Sequence, residues 1–594
     1  MPKFAHILCA LCYVLPFVLN AQPIADGEHS HVDTTMSRPT VAVVLGGGGA
    51  RGAAHIGVLQ VLEEHRIPVD LVTGTSMGAL VGGLYAAGHR PADMQHLLAD
   101  IDWKHMFKDS PPRETRHMRR KREDIANLGT AELGVRDGKI VTPRGALQGH
   151  RLLLWLRRQT LGVRDVENFA ELPIPFACVA TDIVSTEKAV LTQGDLAMSM
   201  RASMAVPGVF APIRVNGQLM VDGGVVDNVP ISVARDLGAD RLIVVDVGAP
   251  LLTEEQLGSP MAISLQMVSA LMKRETDRSL ATLGSNDILI RPALGEFSSA
   301  DFDGSASTVA VGRQAALDAL PQLLPLALNE TDWQAHLAAR GMPDHAALQI
   351  NRVVVDDSRT RSSRHIARTV SRIEPGALSI DQLEDVLDQT MSEGGYERVN
   401  YHLRRVGDES ILSIEPVDKG WGPGYLRFGF ALGDDFAGGS AYQATGDLRL
   451  TGLDERGREW RNRVQLGQRS GVLTELYQPI GDDGRFYALG SADYEVTEQP
   501  FEVLDQSIAL FSSQVSRGGA EIGFYPNDHW QLSTGLQFGR HHLDRLIGSS
   551  DIAEHNSFSS GAWTFGATYD TLDDVGFPTR GSRFDAALRA FRPG

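Results

Sequence analysis

Four runs in the first part of the chain are apolar on both faces: "TVAVVL" from Thr40, "VDLVTG" from Val69, "PFACVATD" from Pro175 and "RLIVVDVG" from Arg241. Strands that lack polar alternation are expected to be covered on both sides, as in a parallel sheet between layers of helices. The segments between them carry apolar residues at helical spacing. Residues 39–342 are therefore predicted to form an α/β domain, a mostly parallel sheet with helices on both faces. Helical periods continue to its end through "ISLQMVSALMKRETDRSLATL" and "STVAVGRQAALDALPQLLPLAL".

The pattern then changes twice. Residues 346–420 read as a small β-α-α-β-β unit: strand "ALQINRVVVDD", helices "RHIARTVSRI" and "SIDQLEDVLDQTMSEGG", strands "ERVNYHLRRVG" and "ESILSIEPVDKG". Ser379 is placed to cap the second helix. From 424 to 594 helical periods stop. About ten segments such as "YLRFGFAL" and "WTFGATYD" alternate apolar with polar residues, a pattern that fits an outer-membrane barrel and also a soluble β-sandwich. Aromatic strand ends favour the barrel.

The N-terminus bears on that choice. An apolar stretch from Ala5 to Leu19 follows Lys3, and Ala21 offers a small residue before a cut. The stretch is short for a membrane span and is interrupted by Pro16, so residues 1–21 read as a signal peptide and 22–38 as a polar linker. Two of the three cysteines, Cys9 and Cys12, fall in the signal, leaving Cys178 without a disulfide partner. An exported chain without disulfides suits a bacterial envelope protein. With 56 Lys+Arg against 74 Asp+Glu, the composition argues against nucleic acid as a partner.

Candidate chemistry lies in the first domain. Four glycines, Gly46 to Gly49, stand between strand "VAVVL" and helix "AAHIGVLQVLEE". A glycine turn at a helix N-terminus presents N–H groups and the positive dipole end to an anion. The same letters fit a dinucleotide fingerprint, Gly47-x-Gly49-x-x-Gly52. The next strand carries Gly74-Thr75-Ser76-Met77-Gly78, a G-x-S-x-G elbow that presents Ser76 as a nucleophile. A serine nucleophile needs a base. His55 sits on an apolar helix face and reads as a buried structural histidine, while His150 opens another helix and is expected at the surface. Asp222, delivered by the hairpin after Asn216-Gly217 and followed by Gly223-Gly224, is either a base close to the serine or an ordinary turn residue.

Taken together, Gly47-Gly48-Gly49-Ala50-Arg51-Gly52, Gly74 to Gly78 and Asp222-Gly223-Gly224 resemble the three motifs of the patatin-like phospholipases, in the same order. The resemblance implies a Ser76–Asp222 dyad without histidine and an oxyanion hole at Gly47, Gly48 and Gly49. Arg51, Gly52, Gly74, Gly78, Gly223 and Gly224 would support these motifs. It implies hydrolysis of lipid acyl esters, with a phospholipid or lysophospholipid as substrate, and no metal or other cofactor.

The small unit resembles a polypeptide-transport-associated (POTRA) domain. The strands after it, with "YDTLDDVGFPTRGSRF" (Tyr569 to Phe584), resemble the barrels of outer-membrane assembly and two-partner secretion translocators. The whole order resembles the patatin-like autotransporters of Gram-negative bacteria, a fused form of type V secretion. This implies export through the periplasm to the outer membrane or cell surface, possible release of the front domain, and dealings with the barrel-assembly machinery. Such barrels have about sixteen strands, so about ten here imply an incomplete one.

Two segments keep double readings. "RETRHMRRKRED" (Arg113 to Asp124) is either a solvated segment or one that meets anionic lipid headgroups. "SLQMVSALM" (Ser264 to Met272) either lines an acyl-chain groove or is plain core. Three functions follow: a surface-delivered phospholipase, an esterase of the same dyad for soluble esters, or a translocator whose front domain is idle.

Overall fold

A computed structural model describes residues 38–126, 132–340, 349–356, 373–434, 440–481, 484–503, 506–548 and 554–592, together with Ile366 and Val370. The predicted signal peptide lies outside the described residues, as do nearly all of the polar linker and most of the first helix of the small unit.

The front sheet contains β1 (Val41–Leu45), β2 (Leu71–Thr75), β5 (Phe176–Asp182), β6 (Lys188–Leu191), β7 (Ile213–Val215), β8 (Gln218–Asp222), β9 (Arg241–Val245) and β10 (Ile288–Ile290). Its order is β10-β9-β1-β2-β5-β8-β7, with β6 added to β5. The pairs from β10 to β5 are parallel, and β8 and β7 close that side antiparallel. The four doubly apolar runs supply β1, β2, β5 and β9. On β1, Val41, Val43 and Leu45 belong to one apolar cluster and Ala42 and Val44 to another, so each face has its own core.

Two helices follow the strand ends that matter most, α1 (Ala54–Glu64) after β1 and α2 (Met77–Ala86) after β2. Leu45 pairs with both Gly74 and Val245, which brings the two turns side by side at the carboxyl edge of the sheet. Helix α2 packs so close that a Cβ on Gly78 would collide with the Leu45 carbonyl oxygen. Small residues after the elbow are thus a packing requirement.

The front domain also sends out an excursion from its core. It comprises α3 (Met118–Ala126) and the hairpin β3 (Glu132–Arg136)–β4 (Lys139–Val141), and returns through α4 (His150–Gln159). Two further helices, the short α5 (Leu196–Ser203) and the long α6 (Pro260–Leu280), flank the later strands.

The small unit holds a two-stranded piece, β11 (Gln349–Ile350) with β13 (Gly376–Ala377), and a three-stranded sheet. In the latter, β12 (Arg352–Val355) runs parallel to β15 (Glu409–Asp418), which is antiparallel to β14 (Tyr396–Val406). Helix α7 (Ile380–Ser392) is capped by Ser379, whose side chain accepts the Gln382 N–H. Its Asp381, Glu384 and Asp388 face arginines of α4: Arg158 pairs with the first two and Arg151 with the third.

The C-terminal strands form one antiparallel meander: β16 (Gly424–Asp434), β17 (Ser440–Leu450), β18 (Glu459–Gly467), β19 (Arg469–Ile480), β20 (Phe486–Val503), β21 (Gln506–Asn527), β22 (Trp530–Gly548), β23 (His555–Asp570) and β24 (Arg583–Phe591). Side chains alternate sharply between its faces. Phe428, Phe430, Leu432, Val464, Leu466, Leu536 and Phe538 are exposed, whereas Asp447, Arg449, Glu459, Arg461, Glu475 and Gln531 are buried on the opposite side. Apolar-out and polar-in is the reverse of a soluble core. Among the described residues no helix is long and apolar enough to cross a membrane.

Within the stretch predicted as the α/β domain, β3 pairs with β16 and extends the second sheet at its first edge. One expectation changes here. The basic segment is neither solvated nor open to lipid. Arg113, Arg119 and Lys121 are buried, and α3 lies on the polar face of the meander. The reason is charge pairing: Arg113 meets Asp570 at 2.6 Å, and Arg119 meets Glu459 at 3.2 Å. Buried guanidinium groups are tolerated only when paired, and removing one partner of such a pair typically costs about 3–5 kcal/mol.

Candidate active site

The glycine turn begins where β1 ends. Gly46 N–H donates to the Val245 carbonyl (3.0 Å), Gly47 N–H to the Asn228 carbonyl (3.1 Å) and Ala50 N–H to the Ser299 carbonyl (2.8 Å). Between them, the N–H groups of Gly48 and Gly49 have no acceptor among the described residues. They are the donors left over in this turn, in front of a short 3₁₀ turn that leads into α1. Gly49 has φ +57°, a left-handed conformation that favours glycine. Side chains are excluded here by the protein itself, since a Cβ on Gly48 would lie 2.8 Å from the Val247 carbonyl oxygen.

Arg51 braces this turn from beneath. Its Nε donates to the Val247 carbonyl, and Nη1 to the carbonyls of Gly295 (2.9 Å) and Phe297 (2.7 Å). It is a structural tie between three loops and is buried, so its guanidinium does not meet solvent.

Ser76 joins β2 to α2 with φ +55° and ψ −122°, unusual for any residue but glycine. The flanking Gly74 and Gly78 allow the sharp turn. The Ser76 N–H donates to Ser203 Oγ (2.9 Å), and that hydroxyl donates to the Val179 carbonyl (2.6 Å). Ser203, at the end of α5, therefore clamps the strained residue to the sheet. A Cβ built on Gly47 would lie 3.1 Å from Ser76 Cβ, so the serine and the glycine turn are in contact.

Asp222 ends β8 and is 1% exposed. Its N–H donates to the Ala205 carbonyl (2.9 Å), and its Oδ1 accepts the Gly224 N–H (2.8 Å). Among the described residues Oδ2 has no partner at hydrogen-bonding geometry. The Ser76 hydroxyl is near enough to favour the ionised carboxylate without completing such a bond, and catalytic contacts of this kind are commonly long before substrate binds. Burial outweighs the help from Ser76 and Gly224 and pushes the Asp222 carboxyl up to about 6.

The histidines are placed by burial. His55 lies on α1 with Nε2 2.8 Å from the Gly46 carbonyl oxygen, and burial pushes its pKa down to about 4. It supports the glycine turn through that contact. His150 is buried, not at the surface as its position at a helix start suggested. Asp109 caps that helix end by accepting the N–H groups of Gly149 and His150, which draws the residue into the core, and burial pushes its imidazole down to about 3.

Two residues that carry little or no signal in the sequence belong to the site. Asn228 accepts the Gly47 N–H on its main chain, and its Nδ2 reaches Thr276 Oγ1 at 3.2 Å on α6. Its one sequence signal is its place six residues after Asp222 within "DGGVVDNVP". Ser203 carries none. Helix α6 in turn is not plain core: Ile263, Met267 and Leu271 are exposed along it, while Met272 lies against the Gly224 backbone. Among the described residues no three His, Cys, Asp or Glu side chains gather as a metal site.

Comparison with known proteins agrees with this geometry. Residues 43–235 match the family described as patatin-like phospholipase. An uncharacterized NTE family protein of Mycobacterium tuberculosis is 33% identical over 211 residues, 36% of this chain and 50% of that protein. Patatin-like phospholipase domain-containing protein 6 of Homo sapiens is 33% identical over 224 residues, 37% of this chain and 14% of that protein. The chain thus spans half the length of the first of these relatives and far less of the second. Among solved structures, BamA from Haemophilus ducreyi lacking POTRA domains 1-3 is 15% identical, over 45% of this chain and 52% of that one, with a TM-score of 0.33. The glycine turn, the serine elbow and the Asp222 strand end all fall within residues 43–235, the stretch that matches the patatin-like phospholipase family.

Proposed function

We propose that the front domain is a serine lipid acyl hydrolase of the phospholipase A or lysophospholipase type, working through Ser76 and Asp222. The observation that carries this reading is the meeting, at one sheet edge, of a strained serine, a buried carboxylate that its hydroxyl favours and, among the described residues, two peptide N–H groups without acceptors. Asp222 Oδ2 takes the hydroxyl proton as Ser76 Oγ attacks the ester carbonyl. The oxyanion is held by the N–H groups of Gly48 and Gly49, because that of Gly47 is already committed to Asn228. The tetrahedral intermediate collapses, the proton passes to the leaving alcohol, and water then hydrolyses the acyl-serine with Asp222 again as base.

Lipid as substrate is supported by α6. Its exposed Ile263, Met267 and Leu271 run along one side of the helix, and Met272 and Thr276 of the same helix touch the loop after Asp222. An apolar ridge beginning at the site suits an acyl chain or a membrane surface better than a soluble ester. We assign the rest of the chain to delivery: a signal peptide, a POTRA-like unit and a barrel whose apolar outer face meets the outer membrane, which would bring the hydrolase to the surface of a Gram-negative cell.

Fatty-acid release from phospholipid vesicles by the full chain, with a short-chain ester in parallel, tests the substrate class. Release from vesicles supports the reading. Cleavage of the short ester alone turns it to a soluble esterase, and turnover of neither to a translocator with an idle front domain. The same assay should show a single limb in its pH profile. The base must be ionised, and its pKa is raised to about 6, so kcat/KM is nearly constant above pH 7 and falls about fivefold between pH 6 and 5. A profile flat to pH 5 would exclude Asp222 as base.

Ser203→Ala is expected to lower kcat about 10- to 100-fold with little change in KM, because it leaves the Ser76 N–H and the Val179 carbonyl unpaired in the core. Ser203→Thr keeps the hydroxyl and should recover most of the loss.

A further inference from the structure

We propose that residues 113–126 and 132–141 form a latch by which the hydrolase domain locks itself to the C-terminal strands, with a cationic helix as the ligand of their polar face and a hairpin as the cap of their first edge. The catalytic reading is not needed for this; the inference rests on the excursion alone.

The fit is electrostatic and reciprocal. Arg113 to Asp124 holds six cations and three acids. Facing it, Asp570 takes Arg113 in a two-point contact, Nη1 to Oδ1 at 2.7 Å and Nη2 to Oδ2 at 2.6 Å. Glu459 accepts from both Arg119 and Arg120. Lys121 Nζ is held by the main-chain carbonyls of Asp528 (2.9 Å) and Asp570 (3.0 Å). The acids of α3 are answered in the same way, Glu123 by Arg449 and Asp124 by Arg427. Two-point arginine–carboxylate contacts select position as well as charge.

Packing adds to the pairing. Met118 is buried among Tyr477, Tyr487, Leu489 and Tyr525, and the Arg119 guanidinium lies 4.5 Å from the Tyr477 ring centroid. The contacts reach β16 through β23, so one helix bridges strands spread across the whole meander.

The hairpin acts on a different group, the open edge of β16. Val135, Gly134, Leu133 and Glu132 pair with Gly424, Tyr425, Leu426 and Arg427 in antiparallel register. An unpaired strand edge is a template for another strand, and here the chain supplies its own. Close approach fixes the choice of residue: a Cβ on Gly134 would lie 2.6 Å from Trp421 Cβ. Helix and hairpin are joined by a few residues, so the two contacts form or release as one unit.

Hydrogen–deuterium exchange on the full chain in detergent tests the latch, with β1, β2 and β9 as internal reference. In the native chain the amides of 118–126 and 132–136 should be protected at least 100-fold over an unstructured peptide. Arg113→Met and Asp570→Asn should each remove at least tenfold of that protection, and together less than the product of the two, because each single change leaves a buried charge alone. Gly134→Val leaves every charge in place and should raise exchange in 118–126 as well as in 132–136. Unprotected native amides, multiplicative single effects, or a Gly134→Val effect confined to the hairpin would each overturn the proposal.

Discussion

Under the proposed mechanism, Ser76→Ala is expected to lower the turnover of any ester substrate by about 10⁴-fold or more, and Asp222→Asn by a comparable factor. The first change removes the only atom that can form the acyl-enzyme at the elbow. The second keeps the size of the side chain and its contact with the Gly224 N–H, but leaves no carboxylate to receive the serine proton. Neither variant is expected to lose the fold. Ser76→Ala keeps the main-chain contact to Ser203, and the asparagine is neutral in a pocket that already penalises charge. The double variant should be no worse than either single one, since the two groups act in one step. Initial-rate measurements with near-native circular dichroism decide the matter. Undiminished hydrolysis by Ser76→Ala would end the serine mechanism, and a strong loss for Ser76→Ala beside a mild one for Asp222→Asn would require another base.

Gly49→Ala is the second large effect. The residue has φ +57°, and a Cβ there would run into the Ser299 carbonyl oxygen, the acceptor of the Ala50 N–H. The left-handed backbone alone costs alanine roughly 1–2 kcal/mol. The collision must also move the peptide that carries the Gly49 N–H, one of two donors without another acceptor. Loss of one donor to a developing oxyanion typically lowers kcat by about 10²–10³-fold, with KM little altered. Gly238→Ala is the proper comparison: it also has positive φ, at +92°, but a Cβ there meets nothing within 4 Å. It should share the strain and keep its turnover. Equal loss in both variants would mean that Gly49 matters to the fold and not to the chemistry.

Much of the front sheet was legible because its signals are local. A strand buried on both sides must be apolar at successive positions, and β1, β2, β5 and β9 were found on that ground alone. Asn216-Gly217 marked its hairpin for a similar reason: both residues take positive φ. What stayed hidden depends on contacts between distant parts of the chain. Ser203 reads as one polar residue among many, until its hydroxyl is seen between Ser76 and Val179. The role of Gly47 depends on the Asn228 carbonyl, which no motif encodes. The basic run from Arg113 was read as meeting water or lipid because its own neighbours cannot neutralise it. Asp570, its partner, lies 457 residues further on. His150 shows the same limit in reverse, since a helix start is usually exposed and only the Asp109 cap draws this one inward.

The left-handed backbone at Ser76 sets heat tolerance and turnover against each other at one residue. Glycine would take that conformation without strain, so Ser76→Gly is the relaxed alternative and the inactive one. A lineage or a library selected only to stay folded would drift toward it, and serine persists there only while its hydroxyl is used. The Ser203 clamp is what allows the strained form to survive between turnovers, so the two serines form a unit in which one is tolerable because of the other.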